Sequence, residues 1–353
     1  MQEDAWTSQI HLIFLHPEES SLWLEQTVDG WRLPYMRLDQ DIYYTDSELL
    51  KTAVKDTFDI VATVLYYARY TDDETTHISK AIYVLQLDDA SPLPPNGDWL
   101  TLSTLQSLPL SKSEHRPILK QVLFEVIENN IPTTRPEWNR TGWLKAAESW
   151  IQSQLRDLGY AQSLPITCVK SSAIACVLKV STTNGNLFFK AAAQLPLFCN
   201  EPVVTAKLAD LFSKHMPVCV RVERNKPWLL LADFGLAVGR EGKVSHERQK
   251  VIYQQYARLQ IASVSHIPKL LDVGCLDRRL ETLESQIDPL LTDKEVLSDL
   301  SDLEIDRLRQ LSPQIKSLCH RLSGYNLPNK FLCNDVYKLD SDIQGVSATF
   351  HCL

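Results

Sequence analysis

The hydrophobic pattern of residues 1–130 predicts one compact unit of strands and helices. Ile10 to Leu15 is an apolar run typical of a buried strand, and Ile60 to Tyr67 and Ile78 to Leu87 are rich in β-branched and aromatic residues. Ser47 to Phe58 has helical periodicity, and Glu114 to Asn129 predicts a closing amphipathic helix. We therefore expect an α/β or α+β unit in this part of the chain.

A polar segment, IPTTRPEWNRTGW, separates this unit from the rest and is interrupted by Pro132, Pro136 and Gly142. Proline and glycine in a polar stretch favour a linker, so we place a domain boundary at residues 131–142. The next stretch, Trp143 to Leu158, has an apolar face with helical spacing, and Gly159 predicts its C-terminal end. A second domain is then expected over residues 143–353.

Two strands joined by a tight turn are predicted in ITCVKSSAIACVLKVSTTNGNLFFKA. Asn184-Gly185 favours a type I′ turn because both residues tolerate positive φ. Alternation along the outgoing strand puts Phe188 and Lys190 on one face and their neighbours on the other. The apolar stretch in RNKPWLLLADFG predicts another strand. The letters DFG in it precede any catalytic loop, so we interpret them as the end of that strand.

The stretch NEPVVTAKLADLF predicts a helix, with Asn200 as its N-cap and Pro202 in its first turn. A strand lysine followed by a helix with a glutamate is the arrangement in which kinases hold nucleotide phosphates. Lys190 and Glu201 are such a pair. The alternative is that Lys190 is a solvent-facing strand lysine and Glu201 an ordinary helix-start carboxylate favoured by the helix dipole.

The region from about Trp138 to Leu290 resembles the bacterial aminoglycoside phosphotransferase family, whose fold is related to protein kinases. The resemblance rests on RPEWNRTGW, LFFKAAAQLPLFCNEP, PWLLLADFG and LLDVGCLDRRLETL. It implies that Lys190 binds ATP, that Glu201 is its helix partner, and that Ser171-Ser172 form the turn over the phosphates. ATP and Mg²⁺ are the implied cofactors, and a small-molecule hydroxyl is the implied phosphoryl acceptor.

The catalytic part of that family is expected to follow the pattern HGDxxxxN, which this chain lacks. The nearest candidate is FLCNDVYKLD, where Asp335 takes the position of the base and Asp340 that of the metal-binding asparagine. The alternative for Asp335 is a solvated carboxylate. We hypothesise a truncated or frameshifted family member with impaired phosphoryl transfer. A catalytically inactive pseudo-kinase that binds a nucleotide or another ligand is the competing hypothesis.

Residues 1–130 resemble the Nudix fold more weakly, through GWRLPYMRL, LLKTAVKDTFDI and GDWLTLSTLQSLPL. Nudix chemistry requires clustered glutamates on a helix to hold divalent metal at a pyrophosphate. Here Tyr35 and Met36 occupy the glycine positions, and Asp56, beside Thr57, is what remains of the acidic cluster. We expect a degenerate Nudix-like domain that serves recognition, and no pyrophosphohydrolase.

Composition narrows the choice of partners. The formal net charge of −8 over 353 residues argues against a nucleic-acid-binding surface. The sequence contains no run of about 20 apolar residues that would span a membrane and no signal peptide, so we expect a cytoplasmic protein. All eight cysteines lie from Cys168 onward without a CxxC pair, which favours reduced thiols. The expected fold class is α+β, with a Nudix-like domain before an aminoglycoside phosphotransferase-type, protein-kinase-like domain.

Overall fold

The structure is a computed structural model that describes residues 6–40, 42, 47–88, 96–128, 131–132, 135–195, 198, 200–233, 246–329, 331–333 and 350–352. The chain divides into two compact units, Met1–Ala193 and Gln194–Leu353. The predicted linker, residues 131–142, falls within the first unit. The domain boundary placed there stays a prediction.

The first unit contains ten strands and four α-helices in its described residues. The strands are β1 (Thr7–Leu15), β2 (Leu22–Thr27), β3 (Gly30–Arg32), β4 (Tyr35–Leu38), β5 (Ala62–Asp73), β6 (Ile78–Leu87), β7 (Gly97–Leu100), β8 (Thr167–Ser171), β9 (Ala175–Thr182) and β10 (Gly185–Ala192). The helices are α1 (Ser47–Phe58), α2 (Leu102–Ser107), α3 (Arg116–Ile127) and α4 (Trp143–Leu158). The bounds of α1, β6 and α4 confirm the sequence predictions.

A mixed seven-stranded sheet organises the N-terminal part of this unit. Its strand order is β3-β2-β1-β6-β5, with β4 also paired to β1 and β7 to β2. Strand β1 runs parallel to β6 and antiparallel to β2 and β4. Strand β5 lies at the end of the order and is joined to β6 in an antiparallel pair with two register shifts.

The two faces of this sheet form separate hydrophobic cores, because side chains alternate along a strand. Ile10 and Phe14 of β1 belong to the cluster that contains Leu50 of α1. Ile13 of β1 belongs to the other cluster, which contains Leu119 of α3. Helices therefore cover both faces of a mixed sheet, which is the layered α+β architecture expected from the alternating pattern.

Strands β8, β9 and β10 form antiparallel pairs in chain order, as the hairpin prediction required. The prediction of a type I′ turn is wrong. Thr182 pairs with Gly185, so Thr183 and Asn184 occupy the turn, and Gly185 alone has positive φ, at 106°. The Thr182 hydroxyl donates to Gly185 O at 2.7 Å and accepts from Asn184 N–H at 3.1 Å. This side-chain bonding closes the turn without positive φ at Asn184.

The second unit contains helices and short strands. Its elements are α5 (Glu201–Leu211), β11 (Cys219–Val222), β12 (Trp228–Ala232), α6 (His246–Ser263), α7 (Ile267–Leu271), β13 (Leu276–Asp277), α8 (Leu280–Leu290), α9 (Asp302–Ser323), β14 (Phe331–Cys333) and β15 (Phe350–Cys352). Strands β11 and β12 form an antiparallel pair, and β13, β15 and β14 form a small sheet in that order. A buried cluster joins α5 to α7 through residues such as Leu208 and Leu270.

The start of α5 differs from the prediction in one detail. Glu201 begins the helix and Pro202 lies in its first turn, as expected. Asn200 does not cap the helix with its side chain; its Nδ2 instead donates to Gly274 O at 3.1 Å. A longer-range acceptor has therefore replaced the local cap. In the part of the chain that the structure describes, no helix combines the length and apolar character needed to cross a bilayer.

Candidate functional site

Strand β10 of the first unit carries Lys190 in a run of buried residues. Lys190 lies opposite Val177 of β9 and is 2% exposed. Its neighbour Phe189 contacts helix α4, with ring centroids 6.1 Å from Trp143 and 5.6 Å from Trp150. Because side chains alternate along a strand, Lys190 is on the face opposite α4. The alternative of a solvent-facing strand lysine is therefore wrong.

Burial of an ammonium group is costly unless the group has hydrogen-bonding or charged partners. A buried lysine on a strand therefore needs a polar neighbourhood. Glu201, the second predicted member of the pair, is 7% exposed at the start of α5 in the second unit. Glu201 begins α5, so its alternative interpretation as an ordinary helix-start carboxylate stays open. Both residues are buried in the chain, and their roles at a nucleotide stay predictions.

The turn between β8 and β9 contains the two serines predicted to lie over the phosphates. Ser172 donates its backbone N–H and its hydroxyl to Ala175 O, at 3.0 and 3.1 Å. The same hydroxyl accepts from Ala175 N–H at 3.2 Å, and Ser172 O accepts from Trp138 Nε1 at 3.0 Å. Ser172 is thus committed to holding the turn in shape. The role of Ser171 and Ser172 at a phosphate stays a prediction.

The predicted catalytic and metal-binding aspartates, Asp335 and Asp340, lie outside the described residues. Their roles also stay predictions. Among the residues that are described, no group of three or more histidine, cysteine, aspartate or glutamate side chains is arranged to hold a metal ion.

Helix α1 occupies the place of the metal-binding helix in the Nudix-like resemblance. Asp56 and Thr57 are both exposed on it. At its N-terminal end, Glu48 pairs with Lys51 at 3.0 Å and accepts a hydrogen bond from Cys168 N–H, also at 3.0 Å. Glu48 is therefore the acidic residue of α1 that makes specific contacts. Its hydrogen bond from Cys168 N–H joins α1 to strand β8.

A histidine cluster in the first unit was not found by sequence reasoning. The rings of His11 and His115 meet edge to face at 4.8 Å between centroids, and Tyr35 lies 5.1 Å from His11. Lys112 Nζ is 3.3 Å from His11 Nε2. Burial, and then the Lys112 ammonium, lower the pKa of His11 to about 4, and burial also lowers the pKa of His115. Both imidazoles are therefore neutral at pH 7. Their wide separation along the chain leaves no local motif.

Comparison with known proteins gives similarity over part of the chain. The sequence matches no protein-family model and no curated protein. An ADP-ribose pyrophosphatase from Streptococcus suis is 18% identical over 34% of this chain and 91% of its own, with a TM-score of 0.26. A NUDIX-family hydrolase from Clostridium perfringens is 7% identical over 34% of this chain and 97% of its own, with a TM-score of 0.27.

A third solved structure, a candidate oxidoreductase from Sinorhizobium meliloti, is 14% identical over 36% of this chain, with a TM-score of 0.28. The chain spans 40% of the length of that protein. Nudix hydrolases are thus among the structural neighbours for about a third of this mixed α+β chain. At these identities and TM-scores the matches carry no argument about activity.

Proposed function

We propose that this protein binds a nucleotide through Lys190 and acts as a binding module rather than as an efficient phosphotransferase. The observation that supports the proposal is the burial of Lys190, which is 2% exposed on the outgoing strand of a three-stranded antiparallel segment. A lysine that served only solubility would keep its ammonium in water. An ammonium held on the inner face of a strand can instead bind phosphate oxygens strongly, because the local dielectric is low.

The resemblance to aminoglycoside phosphotransferases supplies the roles. Lys190 would bind the α- and β-phosphate oxygens of ATP. The β8–β9 turn, with Ser171 and Ser172, would cover the phosphates. The N–H of Ser172 already donates within the turn, so a phosphate would need other donors there.

Phosphoryl transfer to a small-molecule hydroxyl is the alternative. It would use Asp335 as the base and Asp340 with Mg²⁺, both assigned by resemblance. The missing HGDxxxxN pattern is the reason that we favour binding over turnover. Asp335, the predicted base, and Asp340, the predicted metal ligand, both lie outside the described residues.

The test is a titration with ATP in which binding is measured by calorimetry. Lys190→Met retains most of the aliphatic stem and removes the charge, and we expect it to weaken ATP binding about tenfold or more. Lys179→Met is the matched control, because Lys179 is a half-buried lysine on the neighbouring strand β9. We expect Lys179→Met to leave ATP affinity unchanged. Thermal unfolding of both variants shows whether the fold is retained.

Equal ATP affinity in the wild type and in folded Lys190→Met would refute the proposal. A second measurement separates binding from turnover: Mg²⁺-dependent release of ADP, with and without hydroxyl-bearing acceptors. We expect no turnover above background. Turnover that Asp335→Asn abolishes would favour the phosphotransferase alternative, and turnover that survives Asp335→Asn would contradict the assigned base.

A further inference from the structure

A cavity in the first unit lies at the edge of the seven-stranded sheet, beside strand β5. Its volume is about 350 Å³. Strands β5 and β6, residues 132, 135, 136 and 139, and the β8–β9 turn contribute to its walls. The lining side chains on which the argument depends are Tyr66, Tyr67, Tyr83, Arg135, Asn139 and Ser171.

One wall is held by a buried ion pair. Arg135 forms a salt bridge with Glu125, whose side chain is 8% exposed, and its guanidinium lies 3.7 Å over the ring centroid of Tyr66. Glu125 also accepts hydrogen bonds from Tyr66 at 3.3 Å and from Gln121 at 3.1 Å. The charges of Arg135 and Glu125 therefore offset each other. Such a wall favours an uncharged ligand over an anion.

The β8–β9 turn, which also lines the cavity, is bonded to Trp138. Trp138, 5% exposed, donates from Nε1 to Ser172 O at 3.0 Å. Hydrogen bonds of 3.0 to 3.2 Å between Ser172 and Ala175 hold the β8–β9 turn in shape. The cavity is therefore formed before any ligand binds, which reduces the ordering cost of binding.

Two polar groups face this cavity without a partner. Among the described residues, neither the Asn139 side-chain amide nor the Ser171 hydroxyl takes part in a hydrogen bond. An asparagine amide presents one donor and one acceptor side by side, the pattern that matches the edge of adenine. The tyrosine rings offer flat apolar faces, and Tyr67 is 44% exposed, so its ring is accessible to stacking.

From these observations we propose that the cavity binds an uncharged purine nucleoside, with Asn139 reading the base edge and Tyr67 stacking on the base. The volume lies within the range of small-molecule sites, about 300–1,000 Å³. Stacking on an aromatic ring contributes to the affinity for any base, while the amide gives the preference for adenine. The cavity shares Ser171 and Ser172 with the turn that the proposed function places over the phosphates, but Lys190 is not among the residues that line it.

The experiment is a titration of the full chain with adenosine, which has no phosphate. Binding is measured by calorimetry and by ligand-observed NMR. We expect saturable binding by the wild type. Asn139→Ala and Tyr67→Ala should each weaken it about tenfold. Asn225→Ala, at an exposed asparagine of the second unit, and Tyr35→Ala, at a tyrosine that is 41% exposed, are the matched controls and should bind as the wild type does.

Lys190→Met should retain adenosine binding, so that failure of the proposal at Lys190 and failure of this one are distinguishable. Absence of saturable adenosine binding would overturn the inference. Unchanged adenosine affinity in both folded variants, Asn139→Ala and Tyr67→Ala, would do the same. Maltose serves as the competing probe, because tyrosines and asparagine also bind sugars; binding of maltose in place of adenosine would contradict a purine site.

Discussion

Helix α1 and strand β10 are the two elements on which sequence resemblance placed chemistry, and they differ in burial. On α1, Asp56 and Thr57 are exposed. On β10, the residues from Leu187 to Ala192 are all buried, and Lys190 among them is 2% exposed. An exposed carboxylate is solvated at little cost, whereas a buried ammonium is retained only where partners compensate its desolvation. The comparison teaches that burial, more than residue type, separates the stronger candidate site from the weaker one.

The same comparison applies to the packing of residues 1–130, the part whose sequence resembles the Nudix fold. Its two hydrophobic cores are complete on both faces of the sheet. The acidic residue Glu48 holds α1 to the backbone of Cys168. The packing of this part depends on apolar positions that are separate from the exposed Asp56 and Thr57.

The largest effect is expected from breaking the core behind β10. Phe189 is 0% exposed and contacts the two tryptophans of α4, so Phe189→Ala should lower the free energy of unfolding by about 3–5 kcal/mol. Chemical denaturation followed by tryptophan fluorescence measures this change. Phe124→Ala, at a phenylalanine that is 48% exposed on α3, is the control, with an expected loss of about 1 kcal/mol or less. Equal losses would mean that β10 is not the buried element described.

A smaller, pH-dependent effect is expected in the Nudix-like part. The pKa of His11 is about 4 in the folded chain and 6.5 as its ordinary value, so between these pH values the unfolded chain binds a proton that the folded chain does not. Stability should therefore fall as the pH is lowered from about 6.5 towards about 4. Urea midpoints measured across this range check the direction.

The control for this prediction is the substitution of the titrating group. His11→Gln should show a weaker loss of stability on acidification, because the proton uptake at His11 is removed. His246→Gln, at an exposed histidine of α6, should follow the wild type. The same pH dependence in His11→Gln and the wild type would contradict the assignment.

The smallest effect is expected on α1 itself. Asp56→Ala should change the free energy of unfolding by about 0.5 kcal/mol or less, because the side chain is exposed. Addition of MgCl₂ should change the melting temperature of the wild type and of Asp56→Ala by the same amount. A Mg²⁺-dependent stabilisation lost in Asp56→Ala would show that α1 retains metal binding, and the contrast with β10 would then weaken.

Secondary structure was predictable where local signals were strong. The periodicity of Ser47–Phe58 and the glycine after Leu158 set the bounds of α1 and α4, since both signals act within a few residues. The turn at Thr183-Asn184 and the cap at Asn200 were mispredicted because alternative hydrogen bonds, from Thr182 and to Gly274 O, compete with the local preference.

For the candidate sites too, some features were predicted from the sequence and others were found only in the structure. Lys190 and Glu201 were nominated from strand and helix order, and only the structure established that both are buried. The histidine cluster joins residues as far apart as His11 and Lys112, 101 positions along the chain, and could not be found from a motif.

The sequence by itself determined the alternation that builds a two-faced sheet, the strand that carries Lys190 and the helix that begins at Glu201. The tertiary structure alone decided which charged groups leave water and which distant side chains share a cavity. The physical reason is that strand and helix preferences arise between near neighbours, whereas burial and hydrogen-bond partners depend on contacts between segments far apart in the chain.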